Sequence, residues 1–529
     1  MRRIEAIFLC TALIVTCSCG NVLGLSDYSV PGGDGTDGGV AQAGSSPSGG
    51  SGAAAGASAM PAGGCTTQRD CNDSAGNTAA GTAREVRICD KAKQQCVKLL
   101  SEDCQSFSGD YQSERAIIVG TMFATQGAQG SVNRARLESV LLAADEINQK
   151  AGGVPDALTG EYRPLVLVSC DTSQAIRAAT HLVDDLHVPA IIGPNTSQDT
   201  LDVSKQVTVA KGTLVISPTA QASSIADLVD DDLTWQMVPN DLQRIALMIG
   251  EIARLETRLR DERKVANLKL AVIYRDDALG EGTFLALNSL QFNARALADP
   301  ANLGTFVRTW PYAPTGVEPA IVDSVRQFAP DLVVLIGTTE AVVQGMVPLE
   351  RAWTAPQRPE YMLIESSKTP ELLDAVSGNA ALRHRVRGTG ALPAARSKRL
   401  NEAFVLAYAA RHMDEPAGLF GMSQAYDAMF AVAFGIAAVR GPVTGRALAK
   451  TLPLLANSGM EIELLTSKTQ TAFRMLAEGM PLTIVGTTAP LRWDDNGAVI
   501  SGTIELWCIS EVNGKPSFES SGLSLDLAS

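Results

Sequence analysis

Two short polar loops in this chain follow apolar runs and carry residue types suited to holding an anion. Gly193-Pro194-Asn195-Thr196-Ser197 follows the run 190–192, and Ser217-Pro218-Thr219-Ala220-Gln221 follows the run 213–216. Asn195-Thr196-Ser197 stands at a predicted helix start, where free backbone amides and the helix dipole favour a negative group such as a carboxylate. Each Thr or Ser has an alternative role as a helix cap or in a local turn.

The elements that must position these loops repeat one pattern of apolar strand, loop and amphipathic helix. Predicted strands are 116–120, 165–168, 190–193 and 213–216, and predicted helices are 133–151, 173–186, 200–210 and 241–259. The strands are continuously apolar, which is typical of a sheet covered by helices on both faces. In such a sheet ligands bind at the carboxyl ends of the strands, where both loops are expected.

A second set of elements of the same kind follows. Predicted strands are 270–274, 332–336 and 361–364, separated by predicted helices 280–296, 319–328 and 340–353. After residue 390 the pattern is mostly helical, at 397–413, 422–439, 445–455 and 468–478, before an Asp-Asn-Gly turn and a strand around 501–509. The pattern predicts an α/β protein with two doubly wound, three-layer lobes.

The first residues predict export. Met1-Arg2-Arg3 precedes a short apolar run and the segment Thr16-Cys17-Ser18-Cys19-Gly20, which indicates a signal peptide over 1–19. A cysteine at the cut is similar to a bacterial lipoprotein signal, with Cys19 favoured as the lipidated residue, Cys17 as its alternative and an ordinary cleaved signal also open. Residues 20–64 are rich in Gly and Ser and predict a flexible linker.

A cluster of cysteines predicts a small disulfide-stapled segment over 65–114. The candidates are Cys65, Cys71, Cys89, Cys96, Cys104 and the more distant Cys170. Export would place these thiols in an oxidising compartment, and a zinc site is disfavoured because the segment contains neither Cys-x-x-Cys nor His. Connectivity stays open, with Cys104–Cys170 as one possibility.

Charge and motifs exclude several functions. A net charge of −13 disfavours nucleic-acid partners and a basic membrane-docking face. His181, His187, His384 and His412 lie in separate segments without metal-ligand spacing. A Walker A sequence, a complete dinucleotide-binding pattern and a nucleophile elbow in the globular part are absent from the sequence. We therefore expect no catalytic residues, no metal, no cofactor and no enzymatic activity.

Several segments occur together in a recognisable order: 118–120, 143–148, 152–154, 168–173, 192–194, 216–220, 274–282, 426–428 and 491–497. Together they resemble the type 1 periplasmic-binding-protein fold, and within it the branched-chain amino-acid (Leu/Ile/Val) substrate-binding group of ABC transporters. The resemblance runs from about residue 115 to the end. It implies one domain over 115–529, with one lobe of about 115–240 and 395–487, a second of about 241–392 and 488–529, and a ligand trapped between them on closure.

The resemblance also implies site residues. Thr196, Ser197, Thr219 and Ala220 match the loops that hold a carboxylate, beside Asn195, and Glu365 is the candidate to meet an ammonium group, with a solvated carboxylate as the alternative. Leu279 and Thr338 stand where the family often has aromatic residues, so this chain departs from the family in the part that selects the ligand. Cys170 matches half of the family's disulfide, but the expected partner position near Asn195 has no cysteine.

The implied function is capture of a small polar ligand, an amino acid or similar compound, for an ABC permease. The protein would be an exported lipoprotein facing the periplasm or cell surface of a bacterium, attached to the membrane only by its lipid. The alternative is a ligand sensor or surface receptor module of the same fold, which the long linker and the cysteine-rich segment favour.

Overall fold

The computed structural model describes residues 64–73, 86–127, 129–413, 415–456, 459–464 and 466–527. The predicted signal peptide, its lipidation site and the linker up to residue 63 lie outside the described residues. Among the described helices, none has both the length and the apolar character required to cross a bilayer.

The first lobe is built around a sheet of six described strands. In spatial order they are Thr234–Gln236, Leu214–Ser217, Ala190–Ile192, Ile117–Phe123, Leu165–Asp171 and Cys104–Ser108. The first five are parallel and Cys104–Ser108 is antiparallel. Alternate residues of each central strand enter different cores: Val119 packs in one and Met122 in the other. This two-sided burial explains the continuous apolar runs.

Helices cover both faces of this sheet. Gly130–Lys150, Met422–Ala438 and Thr466–Ala477 pack in one core, while the opposite core takes Ala175–Thr180, which continues to Asp185, and parts of the helix that runs from Ser197 to Lys211. The remaining elements of this lobe are Val154–Pro155, Tyr162–Arg163, Lys398–Arg411, Gly445–Ala449, Leu452–Leu455, Met460–Glu463 and Leu482–Val485.

The second lobe contains a sheet of seven described strands. Their order is Val307–Tyr312, Leu270–Arg275, Leu332–Ile336, Glu360–Leu363, Val386–Leu392, Gly502–Val512 and Lys515–Leu527. The last two are antiparallel and the others parallel. Its helices are Asp241–Arg263, Ala278–Ala286, Pro319–Phe328, Val347–Ala352, Pro370–Val376 and Ala380–Arg385. The predicted α/β, two-lobed fold is confirmed.

Three segments, 237–240, 393–397 and 486–501, cross between the lobes. The third is fastened to the first lobe by Asp427, whose carboxylate accepts hydrogen bonds from the amides and hydroxyls of Thr487 and Thr488. Leu491 and Trp493 pack in the core of the first lobe, although the prediction assigned residues from 488 onwards to the second. A tertiary contact explains why these residues belong to the first lobe: the Trp493 indole donates a hydrogen bond to the Gln236 carbonyl at 2.8 Å.

The second lobe differs from the prediction in two further places. The predicted helix 280–296 ends at Ala286 and is followed by the small hairpin Gln291–Phe292 with Arg295–Ala296. Val307–Tyr312 was not predicted because it is an edge strand in which only the first and last residues are buried, so it has no continuous apolar run.

The cysteine-rich segment contains two disulfides, Cys65–Cys89 and Cys71–Cys96, around the helix Gln68–Asp73 and the hairpin Arg87–Asp90 with Gln95–Lys98. A third disulfide joins Cys104 to Cys170, so Cys170 pairs across two adjacent strands rather than near Asn195. The predicted boundary at residue 115 is therefore too late, because the strand Cys104–Ser108 already belongs to the first sheet.

Candidate ligand-binding cleft between the lobes

A cavity of about 120 Å³ lies between the two lobes at the carboxyl ends of their strands. We call it the Arg136 cavity. The first lobe lines it with Ala124, Gln129, Asn133, Arg136, Asn195, Thr196, Ser197, Thr219 and Phe420, and the second with Arg275, Leu279, Thr338 and Ser366. Six of the eight residues predicted to bind ligand are thus brought together from segments far apart in the sequence.

The lobes touch each other beside this cavity. The Gln129 side chain donates to the Thr339 hydroxyl at 2.7 Å, and the Ala278 amide donates to the Gln198 side chain at 3.3 Å. Both contacts join the first lobe to the second, so the lobes are in direct contact beside the cavity.

The predicted loop residues hold one another in place. Thr196 caps the following helix by accepting from the Asp199 amide at 3.1 Å, and its hydroxyl donates to the Asp199 carboxylate at 2.7 Å. Ser197 accepts from the amides of the second loop at Gln221 and Ala222. The capping role is therefore present at Thr196, and Ser197 links the two loops instead of acting as a cap.

Two other members of the loops act in the same way. The Thr219 hydroxyl donates to the Asn195 carbonyl at 2.6 Å, while the Asn195 side-chain oxygen accepts from the Ala124 amide at 2.9 Å. The Asn195 side-chain nitrogen and the amides of Thr196 and Ser197 have no hydrogen-bond partner among the described residues. Backbone and side-chain donors therefore remain available at the edge of the cavity.

Arg136 is the buried cation of this cavity, with 7% of its surface exposed. Its Nε donates to the Phe420 carbonyl at 2.9 Å, its Nη1 donates to Asn133 at 2.7 Å, and its guanidinium stacks over the Phe420 ring. Desolvation lowers its pKa to about 10, an effect that the charge of Glu365 opposes, so the guanidinium remains charged at neutral pH.

A glycine makes this approach sterically possible. Gly421 has φ +90°, and a Cβ there would lie 2.5 Å from Arg136 Nε and 2.3 Å from Thr219 Cγ2. Any larger residue at the start of the helix Met422–Ala438 would push Arg136 or Thr219 out of the cavity wall.

Arg275, the other arginine of the lining, already has partners. It forms ion pairs with Asp277 at 2.7 Å and with Glu340 at 3.4 Å. These neighbouring carboxylates raise its pKa, although its burial acts in the opposite direction. Arg275 therefore carries a compensated charge, whereas Arg136 makes no ion pair within the described residues.

Glu365 lines a neighbouring cavity of about 150 Å³, which we call the Glu365 cavity. Phe420 borders both cavities, and Lys368 and Glu505 line the second with Glu365. Glu365 is 2% exposed, so the solvated alternative is wrong. Burial raises its pKa to about 7, although the Ala391 amide, Lys368 and Arg244 favour its charged form.

Ala220 lines neither cavity. It is 1% exposed, its amide donates to the Ser217 hydroxyl at 3.1 Å, and its carbonyl accepts from Gln236 at 2.9 Å. Because both backbone polar groups are used inside the first lobe, the structure does not bring Ala220 to the ligand.

Sequence reasoning missed seven lining residues: Ala124, Gln129, Asn133, Arg136, Arg275, Ser366 and Phe420. For Arg136 a signal existed: the buried face of the helix Gly130–Lys150 runs through Val132, Arg136, Val140, Ala143 and Ile147. A charged residue inside an apolar helical stripe indicates a buried charge that needs a partner.

The fold and the cleft define a two-lobed α/β protein with a ligand-sized cavity between its lobes. The sequence matches the model of the periplasmic binding protein family over residues 116–470, and the chain belongs to that family. No curated protein matches the sequence.

Three solved structures illustrate the similarity of fold. The leucine-binding protein LivK from Thermotoga maritima shares 16% identity at a TM-score of 0.55, covering 76% of this chain and 98% of that one. The branched-chain amino-acid-binding protein LivJ from Streptococcus pneumoniae, in complex with isoleucine, shares 17% at 0.53, covering 78% and 99%. A solute-binding protein of an ABC transporter from Rhodopseudomonas palustris, in complex with 3,4-dihydroxybenzoic acid, shares 15% at 0.56, covering 79% and 99%.

Proposed function

We propose that this protein is an extracytoplasmic solute receptor that captures a small polar ligand between its lobes for ABC-type import. Family membership and the cavity between the two contacting lobes support this function. One of these relatives is a leucine-binding protein, and the other two are complexes with isoleucine and with 3,4-dihydroxybenzoic acid. A ligand of comparable size suits cavities of about 120 and 150 Å³, which are well below the range of about 300–1,000 Å³ for drug-sized ligands.

The single observation that carries the proposal is the meeting of both lobes at the Arg136 cavity. Asn195, Thr196, Ser197 and Thr219 come from one lobe and Leu279 and Thr338 from the other. A ligand that contacts both lobes gains its full set of contacts only in the closed state, so it shifts the population towards closure. We propose these six residues, with Glu365 beside them, as the ligand-binding set.

Calorimetry and small-angle scattering test this proposal on the same samples. Purified protein is titrated with amino acids and with aromatic and aliphatic carboxylic acids, and scattering is recorded with and without each compound. We expect at least one compound to bind and to decrease the radius of gyration. Binding of none of them, with unchanged scattering throughout, would reject capture of this class of solute.

The attachment to the membrane is part of the same proposal. A lipid on Cys19, or on Cys17, followed by the linker 20–64, would hold the receptor at the membrane while leaving the lobes free to move. Mass spectrometry of the N-terminal peptide, after expression in a bacterium that processes lipoproteins, tests it by the presence and position of the diacylglyceryl group. A peptide that begins after an unmodified cut would reject the anchor.

The packing of the cysteine-rich segment against the first lobe supports the alternative function, a ligand sensor or surface receptor module. The cysteine-rich segment shares a core with the first lobe, where Ile88 and Leu99 pack with Leu182, and Arg177 holds Asp103 by a bidentate ion pair. It is therefore a fixed extension of one lobe. If a protein complex recovered by cross-linking contains a sensor kinase and no permease, sensing replaces transport.

A further inference from the structure

We infer that Arg136 pairs with an anionic group of the captured solute, so the ligand is a small organic acid or an amino acid held by its carboxylate. This inference rests on the proposed function, because it names the ligand class of the same cleft. It adds a charged partner for the carboxylate, Arg136, which neither the loop pattern nor the family resemblance provides.

The first support is the charge of the lining. The described residues that line the Arg136 cavity include two arginines, Arg136 and Arg275, and no carboxylate. The other polar lining groups are amides and hydroxyls, which can donate hydrogen bonds to an anion. A lining of cations and hydrogen-bond donors without a carboxylate favours a negatively charged occupant over a positively charged one.

The second support is that only one of these charges lacks compensation. Arg275 is paired with Asp277 and Glu340. Arg136 has instead a carbonyl, an amide oxygen and an aromatic ring as its neighbours, and its Nη2 makes no hydrogen bond with the described residues. A buried cation without a counter-ion is costly, and a ligand carboxylate that accepts from the guanidinium removes that cost.

The third support is the position of the remaining donors. Asn195, Thr196 and Ser197 line the same cavity as Arg136, and the Asn195 side-chain nitrogen and the amides of Thr196 and Ser197 have no partners among the described residues. A carboxylate between them could accept from the guanidinium and from the loop. The loop donors, which the sequence identifies, and Arg136, which the structure identifies, would then bind the same anion.

Glu365 does not replace the ligand as counter-ion. It lies near enough to influence Arg136 electrostatically, but it lines the neighbouring cavity and forms no ion pair with Arg136. An amino-acid ligand could span both cavities, with its carboxylate at Arg136 and its ammonium towards Glu365. A simple organic acid would use the Arg136 cavity alone.

Matched acid and amide probes test the charge requirement. Wild-type protein is titrated with L-leucine and L-leucinamide, with benzoate and benzamide, and with succinate and succinamide. We expect at least one acid to bind and its amide to bind at least about 100-fold more weakly, as expected for loss of a buried charged partner. Equal affinity for acid and amide would overturn the inference.

Substitution of the arginine tests the residue itself. For the acid that binds best, Arg136→Gln should weaken binding by about 100-fold or more, and Arg136→Lys by about 10-fold, because lysine keeps the charge but loses the planar fork. The control is Arg134→Gln, which removes the same charge from an exposed position two residues away on the same helix. The control should leave affinity unchanged.

Unliganded stability separates a ligand-pairing role from a structural one. If Arg136 serves the ligand, Arg136→Gln should keep or raise the melting temperature of the empty protein, because a desolvated cation has been removed. A variant that is markedly less stable when empty, and that binds the acid normally when folded, would overturn the inference. Absence of binding by wild-type protein to every probe would instead reject the proposed function and the inference together.

Discussion

Replacement of Glu365 by glutamine should change how stability depends on pH. Glutamine has nearly the same shape as glutamate but carries no charge at any pH. The Glu365 carboxyl is 2% exposed, and its Oε2 has no hydrogen-bond partner in the described part of the chain. Folding therefore removes this carboxylate from water without fully replacing its hydration, which favours the protonated form.

The magnitude follows from the pKa. Burial raises the pKa of Glu365 from its ordinary value of 4.5 to about 7. Between these two values the folded protein keeps the proton while the unfolded chain loses it, so the stability of the wild-type protein falls as the pH rises through this window. At about 1.4 kcal/mol for each pH unit, the full loss is about 3 kcal/mol, and it is complete above about pH 7.

Urea unfolding of wild-type and Glu365→Gln protein at about pH 5, 6, 7 and 8 measures this contribution. The variant should match the wild type near the acid end and exceed it by up to about 3 kcal/mol at the alkaline end. Glu402→Gln, which alters an exposed glutamate, is the control and should run parallel to the wild type. A constant difference between Glu365→Gln and wild type across this range would refute the reasoning.

Three further outcomes are expected. The double variant Cys104→Ser, Cys170→Ser removes the disulfide that closes a loop with a sequence separation of 66. Loop entropy predicts that the free energy of unfolding, measured with denaturant, falls by about 4 kcal/mol. An unchanged unfolding midpoint would contradict this prediction. Asp427→Asn weakens the four hydrogen bonds that hold the crossing segment 486–501 to the first lobe. The free energy of unfolding should fall by about 2–4 kcal/mol. A variant as stable as the wild type would show that these bonds do not contribute to stability. Gln129→Ala removes the hydrogen bond to Thr339 that joins the two lobes. Calorimetry should show an affinity for the ligand that is reduced about fivefold, with unchanged stability of the protein. An unaltered affinity would mean that this bond does not contribute to closure of the lobes.

The sequence by itself determined the class of fold and the edge of the sheet where the two polar loops lie. Strands such as Ala190–Ile192 and Leu332–Ile336 are buried on both faces, so their composition alone identifies them. The loop at Asn195–Ser197 follows such a strand directly, which places it at the carboxyl edge. These are local properties, because a strand's burial on both faces is visible in its own residues.

Pairings between distant segments required the tertiary structure. Cys104 meets Cys170 because their strands are neighbours, and Trp493 joins the first lobe because its indole reaches Gln236. The edge strand Val307–Tyr312 is half exposed and carries no continuous apolar run. Its position in the sheet follows from its pairing with Leu270–Arg275, and this pairing cannot be predicted from the local sequence.

The site shows the same division. The sequence identified the loop residues as candidates. It could not show that the Thr196 hydroxyl is hydrogen-bonded to Asp199, or that Ala220 is buried inside the first lobe. The role of Arg136 is visible only in the tertiary structure. Phe420, Asn133 and the second lobe surround its guanidinium, and none of the described residues forms an ion pair with it. Whether a charge is compensated depends on every element packed around it, and that is decided by the tertiary structure.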